Sequence, residues 1–271
     1  MPLIGGLNLS LHSNSLTDTG EYVGLQHYRE LLDDPRFVKA IKNNLRYMAA
    51  SIIVILPLSA FLAYLLQGAW KKLKPALTFL LLLPGLTPPA VLALLFLLVF
   101  HGKEGVLNQL FTVPFHFRTI NWLKDPHFIM SALVMQAVWR WTGFMTFFFL
   151  AGMEAIPKQL YEAASLETNN RWKIFQRVTL PMLQPVVIFC AVYLVIDAFS
   201  MFSGAYVLLG GSGGTGDAGL LMVSYSYQQA FAFGKFGTAA AMSLLIAPAL
   251  LVLLWLAWWG PRWLYGKGRS A

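Results

Sequence analysis

Charge is scarce in this chain. Lys, Arg, Asp and Glu together make up 12% of 271 residues, about half the share of an ordinary soluble domain, which argues against a water-solvated globule. Cysteine is nearly absent: Cys190 stands alone inside an apolar run, so neither a disulfide framework nor a thiolate metal site can be built. No G-x-x-x-x-G-K-[ST] loop occurs anywhere, so the chain has no phosphate cradle with which to hydrolyse ATP itself. The one apparent phosphate motif, Gly211-Ser212-Gly213-Gly214-Thr215-Gly216, follows no strand and opens no βαβ helix, and it reads as a flexible loop. The histidines His12, His27, His101, His116 and His127 have no metal-ligand spacing and read as surface residues. The net charge of +8 is spread in a way that marks membrane topology rather than nucleic-acid binding.

What the chain does have is apolar length. Hydrophobic residues reach 57% at a mean hydropathy of +0.60, and they come in long runs. The fold class is therefore all-α, a polytopic transmembrane bundle of about five spans lying in the lipid bilayer. The expected spans are 47–66, with Pro57 inside it; 77–100, which Pro84-Gly85 and Pro88-Pro89 divide into two pieces or kink; 129–152; 183–209; and 236–259, which ends in the interfacial aromatics Trp255, Trp258 and Trp259. Residues 1–46 are mixed in character, and Met1–Leu11 is too short and too interrupted to span. Three domains result: an extracytoplasmic segment 1–46, a transmembrane domain 47–259 containing a loop 153–181, and a tail 260–271.

The bases orient these spans. Turn 69–76, loop 153–181 and the tail hold ten of the 20 Lys and Arg residues against three acids, Glu154, Glu162 and Glu167. Segments 1–46, 101–128 and 210–235 hold nine bases against eight acids. Short base-rich connectors stay inside, so loop 153–181 and the C-terminus are expected in the cytoplasm and the N-terminal segment outside.

Loop 153–181 is the polar island between two apolar runs. Ile156-Pro157 starts a short helix, strong helix formers run on from Lys158, and Asn169-Asn170 either ends that helix in a left-handed conformation or caps the next one. The second helix is expected to stop before Pro181. Small Ala163 and Ala164 leave a shallow, approachable surface, Leu160 and Leu166 give grip, and Glu162 and Glu167 give charge. Such a helix fits a groove on another protein or lies on the lipid surface.

Glu162-Ala163-Ala164, Glu167, Phe175, Val178 and Leu180-Pro181 at these separations resemble the EAA loop of bacterial ABC importer permeases. Further similarity runs through Val23-Gly24-Leu25-Gln26-His27-Tyr28, Asp34-Pro35-Arg36-Phe37, Asn43-Asn44-Leu45, Gly105-Val106-Leu107-Asn108, Phe149-Leu150-Ala151-Gly152, Gly210-Gly211 and Ala239-Ala240-Ala241-Met242-Ser243. The combination resembles the sugar and glycerol-phosphate branch, the maltose-type permeases. Glu167-Thr168 stands where that family usually has Asp-Gly, and a β-branched residue is poor at positive φ, so the bend is expected to shift to Asn169.

The resemblance implies an inner-membrane subunit that moves a sugar, polyol or glycerol-phosphate solute inward. ATP and Mg would be bound by partner ATPase subunits and no cofactor by this chain. It implies a second permease subunit, an extracytoplasmic solute-binding protein that the outer glycine-rich loop helps to meet, and no nucleic-acid partner. Leu160, Tyr161, Glu162, Ala163, Ala164, Leu166, Glu167 and Thr168 would couple to the ATPase. The resemblance puts Val23–Leu45 just outside the membrane, after a first span that these 271 residues do not contain; either the true start lies upstream or this is a five-span form that exports its own N-terminus.

Two charges fall inside expected spans, Arg140 and Asp197, both near mid-depth at about 1.5 Å per residue. Charges there need a partner or a wet cavity. Tyr193, Asp197, Ser200 and Gly204 recur at helical spacing and form a polar stripe. This stripe either faces a transport path, with Asp197 accepting sugar hydroxyls, or Asp197 and Arg140 form a structural ion pair. A secondary transporter or channel for a small polar solute is the alternative function; a membrane enzyme would need an acid, base or metal set that is not seen.

Overall fold

A computed structural model describes residues 2–13, 20–68 and 72–266. Lys71 of the basic turn and Lys267 and Arg269 of the tail lie outside the described residues, as does the side chain of Arg262. In chain order the helices are α1 (Pro2–Ser10), α2 (Gln26–Asp33), α3 (Pro35–Gln67), α4 (Lys74–Leu86), α5 (Pro89–Val99), α6 (Val106–Phe111), α7 (Pro126–Glu154), α8 (Lys158–Glu167) and α9 (Arg171–Ile174). A π-helical turn (Phe175–Thr179) leads into α10 (Leu180–Met182), followed by α11 (Gln184–Ser200), α12 (Ser203–Leu208), α13 (Met222–Tyr227), a second π turn (Gln228–Ala232) and α14 (Phe236–Gly266). No strand occurs among the described residues. The all-α expectation holds.

Prolines set several boundaries. Pro35 and Pro89 begin α3 and α5, where a missing N–H costs nothing. Thr87, next to Pro88, is extended at φ −72°, ψ 134°, as a residue before proline prefers. Residues 77–100 are thus two helices rather than one kinked span, and the break is at Thr87-Pro88, with Pro84 inside α4. Pro57 also lies within an unbroken helical run. Among the described residues two helices are long and apolar enough to cross a bilayer alone, Pro35–Gln67 and Phe236–Trp259; counting two bent helix pairs as single spans gives four. α7, the expected third span, has 29 residues, but Gln136, Arg140, Thr142 and Thr146 dilute its apolar character.

Three expectations are corrected. Span 183–209 is not continuous: α11 stops at Ser200, and α12 begins at Ser203. The helical run of the 153–181 loop does not stop before Pro181, which lies inside α10; the π-helical turn Phe175–Thr179 directly before it is the kind of local adjustment by which a helix accommodates a proline. His27 is no surface residue. It is 4% exposed, its Nε2 lies 2.9 Å from the His12 carbonyl, and its Nδ1 lies 3.3 Å from Thr238 Oγ1.

The chain divides into two compact units, 1–49 with 88–136 and 197–252, and 50–87 with 137–196 and 253–271. In the first, Leu31, Phe37, Phe96, Ile129, Leu133, Leu220 and Met242 are buried. In the second, the core holds Ile55, Met145, Phe149, Met153, Leu183 and Cys190. Its α4 and α7 approach so closely that a Cβ on Gly143 would overlap the Leu81 carbonyl, a backbone contact that only a small residue allows. Ser59 Oγ donates to the Thr142 carbonyl at 3.0 Å, tying α3 to α7. By contrast α4 buries nothing, and Leu251, Val252, Trp255 and Trp259 of α14 stand exposed, as expected of surface that meets lipid or another subunit.

Candidate coupling loop and transport path

α8 is short, solvent-facing and apolar in the wrong places for a helix that serves only its own chain. None of its ten residues is buried; Leu166 is 90% exposed and Leu160 40%. A helix of this length is marginal by itself, so the segment after it must hold it. The Tyr161 hydroxyl meets Thr179 Oγ1 at 3.1 Å. Beyond Thr168 the Asn170 side chain accepts from the Trp172 N–H at 2.9 Å and the Lys173 N–H at 3.3 Å, capping α9. The Trp172 and Phe175 rings then stack at 5.5 Å and 16°.

The bend differs in detail from expectation. Thr168 is extended at φ −158°, ψ 136°, and neither it nor Asn169 takes a positive φ. An extended residue makes the turn that glycine makes elsewhere, so the Thr departure causes no backbone strain and the bend does not move to Asn169. α8 and the α9–π segment together line a shallow cleft through Leu160, Ala163, Ala164, Glu167, Ile174 and Arg177. Small residues, a basic and an acidic side chain, and a protruding leucine thus share one concave surface, with Leu166 and Glu162 exposed beside it.

The candidate path residues are divided between the two compact units. Arg140 and Tyr193 belong to one compact unit, Asp197, Ser200 and Gly204 to the other. The Arg140 guanidinium lies 4.5 Å over the Trp141 ring, and its Nε is buried without a hydrogen-bond partner. Tyr193 packs with Trp141 at 5.0 Å and Phe144 at 5.5 Å. Tyr193, Asp197 and Ser200 share α11, half-buried to exposed. Gly204 leaves this stripe: it sits on α12, past the break, and is buried. The helical spacing that joined it to Ser200 needs a continuous helix, and none is there.

The structure also reveals an anchor that residue spacing could not disclose. Arg36 grips Asp217 with two hydrogen bonds, Nε to Oδ2 at 2.8 Å and Nη2 to Oδ1 at 2.7 Å, and its guanidinium lies 5.1 Å over the Tyr225 ring. Lys39 Nζ donates to the Gly216 carbonyl at 2.6 Å, and Asn43 Nδ2 to the Asp217 carbonyl at 2.8 Å. The Tyr225 hydroxyl donates to Asp34; burial first, and that hydrogen bond second, push its pKa up to about 12, so it remains a donor. The glycine-rich loop is therefore pinned to the start of α3 rather than flexible. The signal was present only as Asp34, Arg36 and Asn43 among residues of wider similarity.

Comparison with known proteins decides the family. Residues 55–265 match the family described as binding-protein-dependent transport system inner membrane component. The chain belongs to that family. Its relatives include the arabinooligosaccharides transport system permease protein AraP of Bacillus subtilis (strain 168), 34% identical over 86% of this chain and 74% of that protein. The trehalose/maltose transport system permease protein MalF of Thermococcus litoralis is 30% identical over 90% of this chain and 82% of that one. In fold it resembles a bacterial ABC transporter involved in the import of the acidic polysaccharide alginate, with a TM-score of 0.80 at 22% identity, covering 96% of this chain and 88% of the other. The chain is an inner-membrane permease of a binding-protein-dependent ABC importer, a transport subunit rather than an enzyme, and the secondary-transporter alternative falls.

Proposed function

We propose that this permease imports a sugar or a related polyol or glycerol-phosphate solute. In this reading α8 and its cleft dock on an ABC ATPase in the cytoplasm, where ATP and Mg are bound. A second permease subunit completes the membrane path, and a solute-binding protein delivers the solute from outside. The observation that carries the proposal is a ten-residue helix with no buried residue beside a concave surface lined by Ala163 and Ala164. A helix so exposed needs a partner's groove, and the two alanines let the groove come close. Relatives named for arabinooligosaccharides and for trehalose and maltose support the solute class. Arg140, Tyr193, Asp197 and Ser200 are proposed to border the path, Asp197 accepting solute hydroxyls. The base-rich connectors support cytoplasmic placement of the loop and the C-terminus.

ATP on the partner ATPases would supply the energy for their closure, and α8, seated in the groove, would carry that motion to the spans. The test is co-purification of the permease with its genomic neighbours, comparing wild type with Ala164→Trp. Wild type is expected to recover an ATPase and a second permease, and the variant to lose the ATPase while keeping the permease. Equal ATPase recovery by both would overturn docking through α8.

A further inference from the structure

α4 and residues 137–154 of α7 belong to one compact unit, and contacts at both ends and in the middle hold them side by side. At one end Gly85 comes so close that a Cβ there would lie 3.3 Å from the Arg140 carbonyl. In the middle the approach of Gly143 to the Leu81 carbonyl leaves no room for a Cβ. Beyond that point the helices part, and a groove of about 340 Å³ opens between them, lined by Pro75, Thr78, Phe79, Phe147 and Glu154. At the end of this groove the Lys74 ammonium donates to the Glu154 carboxylate. Lys74 is the first residue of α4 and Glu154 the last of α7.

The place of this ion pair matters more than its strength. With side chains 24% and 51% exposed, it adds little to stability. Yet α4 buries no residue, so its first turns gain little from apolar contact, and the charges close the groove where packing does not. Glu154 also stands at the head of the coupling loop: Ala155-Ile156-Pro157 alone join it to α8. That link is anchored, since Met153 and Ile156 are buried and the Ala155 N–H donates to the Ala151 carbonyl at 3.1 Å. A displacement of α8 therefore reaches the end of α7 with little slack, and Lys74 is where α4 receives it.

The structure assigns Lys74 and Glu154 the role of positioning residues: they clasp α4 to the end of α7, so that motion of α8 carries α4, and the Gly85 contact beside Arg140, along with α7. This rests on the proposed docking of α8 and adds to it the route by which the motion leaves that helix. The pair touches neither solute nor nucleotide and acts through the register of two helices. With the clasp open, α7 still follows α8, while α4 follows loosely through the contact at Gly143.

The test uses the whole transporter, with its ATPase, second permease and binding protein, in proteoliposomes. Leu83→Cys places a thiol on α4 at a position 42% exposed, while the native Cys190 is buried. The rate at which N-ethylmaleimide labels this chain is read without nucleotide and after trapping with ATP and vanadate, and with the clasp intact the two rates are expected to differ. Glu154→Gln keeps the size of the side chain and removes its charge. It should move the ratio of the two rates toward one by about twofold to fivefold, the scale of a partly exposed ion pair, while the ATPase still co-purifies. Lys74→Glu combined with Glu154→Lys should restore the ratio. A purely structural role would change both rates together and leave the ratio alone. Equal rates in the two states with the clasp intact, a ratio unmoved by Glu154→Gln, or a ratio that the exchanged pair fails to restore would each overturn the clasp. If Ala164→Trp keeps both the ATPase and the ratio, the docking reading fails and the clasp with it; if Ala164→Trp loses both and Glu154→Gln keeps the ratio, only the clasp fails.

Discussion

Asp217 offers a test in which two effects oppose each other at one residue. Its carboxylate closes the paired hydrogen bonds with Arg36, while its backbone sits at φ +56°, a conformation costing a non-glycine residue about 1 kcal/mol. Hydrogen bonds to charged groups contribute about 1.5–3 kcal/mol. Here the side chains are 37% and 23% exposed, so solvent screening lowers the pair to about 1–2 kcal/mol. Asp217→Ala removes the pair and keeps the strained backbone, so it should cost that full amount. Asp217→Gly removes the pair and relieves the backbone, so the two terms nearly offset. For a chain of this size roughly 2–4 °C of Tm accompanies each kcal/mol, which places Asp217→Ala about 2–8 °C below wild type and Asp217→Gly within about 4 °C of it. Cys190, the chain's single cysteine, is buried, so a thiol-reactive fluorophore reports unfolding in detergent as that thiol becomes accessible. If the glycine variant melts at or below the alanine variant, the backbone argument is wrong. If neither shifts, the Arg36 pair does not hold the loop.

Two further outcomes are expected. Gly143→Ala should push α4 from α7 and cost near the top of the overpacking range of about 1–3 kcal/mol, seen as a lower Tm and less monodisperse protein. Gly85→Ala, whose Cβ would stay 3.3 Å from the Arg140 carbonyl, should be milder, and the reverse order would refute the close approach at Gly143. Asp197→Asn should raise the KM for solute uptake about tenfold, the scale of one charge-assisted hydrogen bond; unchanged uptake at low solute would remove Asp197 from the path.

How much was legible differs by element. The helix Lys158–Glu167 was readable because its signals are local: Pro157 before the start, helix formers after it, and an asparagine that caps the next helix all act within a few residues. The rest of that loop was less so, since Thr168 could turn the chain by an extended conformation as well as by a left-handed one, and propensity does not choose between them. The polar stripe of α11 failed at Gly204 because helical spacing carries no notice of where a helix ends in an apolar run. His27 reads as a surface residue until Thr238, 211 positions away in the chain, is seen beside it.

The sequence by itself determined that this protein is a helical membrane protein with a short polar helix between apolar runs, because composition, apolar run length and local capping need no knowledge of distant residues. Only the tertiary structure decided that Arg36 holds Asp217 across 181 positions, that the glycine-rich loop is pinned, and that the Gln136 Oε1 is left without a partner beside Gly204. Those are pairings between segments far apart in the chain, and a pairing has no signature in either segment alone.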